Sequence, residues 1–166
     1  MSDPRAPLVV VMGVAGAGKS TVGPLVAERL HVPFVDADDL HDPGDREQMR
    51  RGEPLTDAQR APWLDRVHRV LADHATRGVV VACSALTPAH RATIRGDLAG
   101  VAFVDLVVAP DVLRHRLGQR AGHFAGADLL DSQLRTLAVD DQVLTVDGEQ
   151  PPDEVAAAIV AAVLTD

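Results

Sequence analysis

Lys19 is the only lysine in a chain that carries fifteen arginines, and it stands inside GVAGAGKST at residues 13–21. Gly13 to Ser20 fit the spacing G-x-x-x-x-G-K-S, with an apolar run before them and a helical pattern after. In that context the glycines let successive backbone N–H groups turn inward around phosphate oxygens. The helix N-terminus adds its partial positive charge. Lys19 is placed to bridge the β- and γ-phosphates, and the Ser20 hydroxyl to ligate Mg²⁺. An ammonium point charge suits such a loop, where the planar fork of arginine does not. The chemistry expected here is nucleoside triphosphate binding.

A second set of groups lies in VDADDLHD, residues 35–42. Loops at the C-terminal ends of parallel strands line the ligand crevice, so these carboxylates are expected to face the nucleotide. Phosphoryl transfer needs one carboxylate near the metal and one at the acceptor hydroxyl, which points to Asp36 and Asp38. Two apart in an extended chain, they would share a side. Asp39 and Asp42 read as a solvated acidic loop. Arg60, Arg91, Arg95, Arg116 and Arg120 supply cations, with 91/95 and 116/120 each spaced i, i+4 on one helical face. Such pairs suit an anionic acceptor or the moving phosphoryl group. The small-residue break AGHFAGA at 121–127 has the character of a lid hinge. No N-K-x-D stands ready to read guanine, and the strand ending Val81-Ala82-Cys83-Ser84 carries no acidic pair. ATP and a small kinase therefore fit better than a GTPase switch or a motor.

These groups need a frame. Strand-length apolar runs alternate with amphipathic helical segments, the pattern of a parallel sheet with crossover helices. Strands are expected at 8–12, 33–37, 79–83, 101–108 and 142–146. Helices are expected from the glycine loop to Leu30, from a capping box at Thr56, from Thr87-Pro88, over 111–120, over 128–138 and over 151–164. A weak polar helix falls at 45–51. The helix after Thr56 should bury Trp63, Leu64, Val67, Val70, Leu71 and Ala75. The 166 residues make one domain, 1–166, with a lid over about 116–137. A formal net charge of −8 with one Trp, three Phe and no Tyr argues against a nucleic-acid surface. No apolar run approaches the ~20 residues that span a bilayer. Cys83 is the only cysteine, which excludes an intrachain disulfide and fits a reducing, cytoplasmic setting.

MGVAGAGKSTVG, DADDLH, MRRGEPLTDAQRAPWL, VVACSALTPAHRATIR and RLGQRAGHFAGADLLDSQLRTL together resemble the gluconokinase family, in that family's order. The resemblance implies a three-layer P-loop kinase fold of the α/β class, with a five-stranded parallel sheet flanked by helices and a short lid. It implies ATP-dependent phosphorylation of D-gluconate at the 6-hydroxyl, with Mg²⁺, and a homodimer. Carried over by position, Gly13, Gly16, Ala17, Gly18, Lys19, Ser20 and Thr21 would hold the phosphates and Mg²⁺; apart from the resemblance, the position of Asp36 suggests that it holds Mg²⁺ through water. Asp38 would orient or deprotonate the acceptor hydroxyl. His41, Arg60 and Arg91 would bind the acid, and Arg116, Arg120 and His123 would belong to the lid, Arg120 acting on the transferring group. For His41 and His123 a structural hydrogen-bonding histidine is the alternative. The chain departs from the family at Asp45, Gln48 and Ala138, where Asn, Lys and Glu are usual. If 45 and 48 touch the acid group, each lost charged hydrogen bond weakens gluconate by ~1–3 kcal/mol; if they lie outside, nothing follows. Two other readings stand at this point. One is a kinase for another small anionic alcohol, such as a different sugar acid or shikimate; the other is an ATP-binding regulator without transfer activity.

Overall fold

The computed structural model describes residues 5–118 and 124–165, apart from the side chains of 124–128. Its centre is one strand, β1 (Leu8–Met12), buried along its whole length. Leu8, Val10 and Met12 face one apolar cluster while Val9 and Val11 face the other, so a continuous β-branched run serves two cores at once. The remaining strands are β2 (Phe34–Asp36), β3 (Val79–Ala82), β4 (Val101–Val107) and β5 (Val143–Asp147), and the sheet order is β2-β3-β1-β4-β5. All four pairings are parallel. The order turns back at β1, so the crevice at the C-terminal ends of β1, β3 and β4 is where a ligand belongs.

Helices cover both faces. On one lie α1 (Lys19–Leu30), α5 (Pro110–Gly118) and α7 (Pro152–Leu164), meeting the sheet through Val22, Val26, Leu113, Leu117, Val155 and Ile159. On the other lie α3 (Asp57–Asp73) and α4 (Pro88–Arg95), through Trp63, Leu64, Val67, Leu71 and Ile94. The remaining helices are α2 (Pro43–Arg50) and α6 (Phe124–Thr136), and Leu130 of α6 joins the first cluster. Gly23 of α1 lets that helix lie close on β2, since a Cβ there would fall inside the Phe34 ring. That approach brings the start of α1 beside the end of β2.

Sequence expectation and structure agree on the five strands to within a residue or two. Four details differ. Ala75 lies beyond α3 and is exposed, because the helix closes on His74 and the chain turns before Gly78. Asp42, read as part of a solvated loop, accepts from the Asp45 amide and caps α2, with Pro43 in the first turn. That Asp-Pro pair is a start signal, and it makes the weak helix at 45–51 a full one. The helix expected over 128–138 begins at Phe124, because an Ala-rich run is as good for a helix as for a hinge. Finally, Asp36 and Asp38 do not share an extended chain. Residues 37–40 form a 3-10 turn that Asp36 caps, its Oδ1 accepting from the Asp38 amide at 3.0 Å.

Candidate active site

The phosphate loop closes β1 and opens α1. Gly16 and Gly18 have φ of 84° and 104°, and a Cβ on Gly16 would press on Leu117 at 3.3 Å. A side chain at either would strain the loop. Lys19 Nζ donates to the carbonyls of Gly13 at 2.8 Å and Val14 at 3.0 Å, which folds the ammonium back over the loop. Ala17 is buried, and Ser20 and Thr21 are exposed on the first turn of α1. Ser20 Oγ donates to Asp36 Oδ2 at 2.8 Å. This hydroxyl and carboxylate, side by side at the loop, form a hard-oxygen pair of the sort Mg²⁺ takes together with substrate phosphates. Among the described residues no group of three or more His, Cys, Asp or Glu could hold a metal by itself. Arg116 reaches the loop from α5, its Nη1 donating to Gly16 O at 3.1 Å and its Nη2 to Gly148 O at 3.0 Å. Arg120 and His123 lie outside the described residues.

Asp38 stands in the first turn of the 3-10 segment that Asp36 caps. Desolvation in the cleft holds its carboxyl above the usual 3.8, and Lys19 pulls in the opposite direction. A carboxylate with a raised pKa in the field of the loop lysine has the character of a general base. The position rests on α3: Trp63 Nε1 donates to Ala37 O at 2.7 Å, and the indole stacks on His41 at 4.2 Å with the planes 13° apart. His41 is buried, its Nδ1 has no hydrogen-bond partner among the described residues, and burial followed by the Arg66 charge lowers its pKa to about 4.

His41 and Trp63 belong to a pocket whose walls also include Met49 of α2, Leu55 and Arg60, Ser84 and Leu86 after β3, His90 of α4, and Ser132, Gln133 and Thr136 of α6. Burial lowers the pKa of His90 as well, with the Arg60 charge next. Two neutral imidazoles, hydroxyls and amides suit a polyol. Among the described lining residues Arg60 is the permanent cation, held by Asp57 at 2.9 Å and by Leu55 O at 2.8 Å. The thiol of Cys83, fully buried at the end of β3, is pushed up to about 12 by that burial and stays protonated.

Arg91 is placed differently from the expectation. It is only 2% exposed and does not line the pocket. Its Nη1 donates to Ala85 O at 2.8 Å, its Nη2 to Ala138 O at 2.6 Å, and Asp140 lies 3.6 Å away. Ala85 has φ 45°, a left-handed conformation that a residue other than glycine rarely adopts. Arg91 therefore holds a strained turn whose neighbours, Ser84 and Leu86, form the pocket wall. Its i+4 partner Arg95 lies over the Phe103 ring at 5.2 Å. Both arginines also line a separate cleft with Pro88, Asp140, Asp141 and Gln142, apart from the pocket of His41 and Trp63. Asp45 and Gln48 are also outside the pocket: Gln59 Nε2 donates to both, at 3.2 and 2.7 Å, and ties α2 to the start of α3.

Sequence reasoning passed over three residues. Gln133, on α6, accepts the Ala15 amide of the phosphate loop at 2.6 Å. Ser84 stands two residues past β3, inside a block whose residue pattern gives it no chemical role. Asp105, on β4 and 4% exposed, lies behind Gly13 with no hydrogen-bond partner for its Oδ1 among the described residues; desolvation raises its pKa against the pull of Lys19. A lone Asp inside VAFVDLVV was the available signal for the last.

Comparison with known proteins agrees with this geometry. The shikimate kinase family profile matches residues 15–163. The gluconokinase of Gluconobacter oxydans (strain 621H) is 46% identical over 152 residues, covering 89% of this chain and 85% of that protein. The thermoresistant gluconokinase of Escherichia coli K12 is 38% identical, with 92% and 91% covered. The crystal structure of a gluconokinase from Sinorhizobium meliloti 1021 superposes with a TM-score of 0.86 at 39% identity, covering 96% of this chain and 92% of that one. With a P-loop kinase fold, a phosphate loop in working geometry and relatives of this closeness over nearly the whole chain, the protein belongs to the gluconokinase family.

Proposed function

We propose that this chain transfers the γ-phosphoryl group of ATP to the terminal hydroxyl of D-gluconate, giving 6-phosphogluconate and ADP. The observation that carries the proposal is the adjacency of Lys19, Ser20, Asp36 and Asp38 at one strand-end crevice, near a pocket that offers hydroxyls, imidazoles and, among its described lining residues, one permanent cation. The loop amides and Lys19 hold the triphosphate, and Arg60 takes the carboxylate of the acid. Neutral His41 and His90 offer hydrogen bonds to hydroxyls. Asp38 accepts the proton of the terminal hydroxyl as its oxygen bonds to the γ-phosphorus, and the bond to the β-phosphate oxygen breaks. Most of the catalysis is positioning and charge neutralisation. Ser20 and Asp36 would hold Mg²⁺, which would supply charge neutralisation at the phosphates. Residues 116–137 serve as the lid, with Arg116 and Arg120 bringing charge to the phosphoryl group and His123 at the lid entry. A cytoplasmic setting fits an ATP-dependent enzyme whose one cysteine is buried and unpaired.

Asp45 and Gln48 point into the Gln59 network, so their departure from the family pattern does not weaken the acid site. The test is ADP release with MgATP across a panel of sugar acids, polyols and shikimate, with Lys19→Ala as the blank. Gluconate should be the fastest substrate. Faster turnover on another acid would overturn the acceptor assignment, and silence with ATP bound would leave a nucleotide-binding regulator.

A further inference from the structure

The phosphate loop and the acceptor pocket come from distant parts of the chain, yet one side chain touches both. Gln133 lines the pocket, and its Oε1 accepts the Ala15 N–H at 2.6 Å. A backbone N–H only donates, so the carboxamide oxygen must face the loop; the orientation of the amide is forced. The Nε2 end is then turned away from Ala15, and the structure pairs it with no acceptor among the described residues. Fixing one end of the amide freezes the torsions that would otherwise be lost on binding, which leaves a preorganised neutral donor. The polar groups that share the pocket with it are hydroxyls and neutral imidazoles, between apolar walls from Met49, Leu55, Leu86 and Leu129, with Arg60 as the group suited to a carboxylate. A neutral, directional donor in such a place reads a hydroxyl.

We propose that Gln133 is a specificity-determining residue: pinned by Ala15, it donates through Nε2 to one non-reacting hydroxyl of the acceptor, and so joins acceptor recognition to the phosphate loop. This inference rests on the acceptor reading above. It predicts that one hydroxyl of the polyol chain is recognised through this residue alone. Losing either partner of that hydrogen bond should have the same effect, and losing both should add nothing.

The full-length protein, Gln133→Leu and Gln133→Glu are compared with gluconate and its monodeoxy analogues. Turnover is followed by ADP release. Binding is followed by fluorescence of Trp63, the single tryptophan, which lines the same pocket, in the presence of a non-hydrolysable ATP analogue. The wild type should lose about tenfold or more in kcat/KM when one particular hydroxyl is missing. Gln133→Leu should show that loss with gluconate, none further with that one analogue, and the wild-type penalties with the others. Gln133→Glu keeps an oxygen for Ala15 and loses the donor, so it should melt like the wild type and show the same loss of discrimination. Gln133→Leu within twofold of wild type on gluconate, or a parallel loss on every analogue, would overturn the inference. Wild-type protein that binds gluconate without transferring phosphate would sink the activity reading, and the Trp63 titrations would still decide Gln133.

Discussion

The phosphate loop and the acceptor pocket meet at Ala15 and Gln133, but they are assembled by different means. The loop is nine consecutive residues, 13–21, held chiefly by its own backbone: Lys19 on the carbonyls of Gly13 and Val14, and glycines in left-handed conformations. The pocket draws on α2, α3, α4, α6 and the turn after β3, and a second tier of side chains keeps those pieces in place. Arg91 holds the strained Ala85, Trp63 holds Ala37, and Gln59 holds α2. The loop's chemistry is local. The pocket's chemistry depends on groups such as Arg91 and Gln59 that hold its walls from outside it, so damage to the two should look different.

Lys19→Ala should lower kcat about 10²–10³-fold or more, with the melting temperature falling by no more than about 4 °C. Collapse of the fold with that substitution would show that the loop, too, is a structural keystone. Arg91→Met should do the reverse. It leaves the Ala85 carbonyl without its partner in a buried place, which costs about 1–3 kcal/mol. It should raise KM for the acceptor while ATP affinity stays within about twofold; equal losses on both sides would erase the contrast between the two regions.

Asp105 tests whether the loop rests on anything costly. Its folded pKa is raised, so the native state binds its proton more tightly than the unfolded chain does. That contribution is fully present below about pH 3.8 and is lost as pH rises through the folded pKa. Asp105→Asn should therefore raise stability at pH 7 by about 1–2 kcal/mol and give no gain near pH 3.5. Chemical denaturation at the two pH values is the check, and an equal gain at both would mean that the charge is not the cause. The smallest effect is expected at Ala85→Gly. Relief of the left-handed strain should stabilise by at most about 1 kcal/mol. If acceptor KM rises despite that gain, the strain is what positions Ser84.

Much of this molecule could be read from residues in a row. A parallel sheet buried on both faces needs continuous apolar runs, and such runs mark the strands. The phosphate loop works through backbone amides at fixed spacing, so its spacing identifies it. The capping box at Thr56 and Gln59 formed as a local sequence signal should, with both reciprocal bonds present.

What the chain order could not convey was which side chains meet. Arg60 and Arg91 look alike in sequence, each an arginine on a helix after a capping residue. One faces the pocket, and the other is buried on the carbonyls of Ala85 and Ala138, because α4 is turned so that Ile94 and Arg91 both point inward. Asp45 and Gln48 looked like lost ligands until Gln59, eleven residues beyond Gln48, proved to be their partner. Gln133 is 118 residues from Ala15, and no periodicity links the two. Backbone geometry follows from neighbours along the chain, so sequence alone determined the sheet and the loop. Long-range pairing depends on how helices rotate and pack, so only the tertiary structure decided which polar groups face the substrate and which hold the walls.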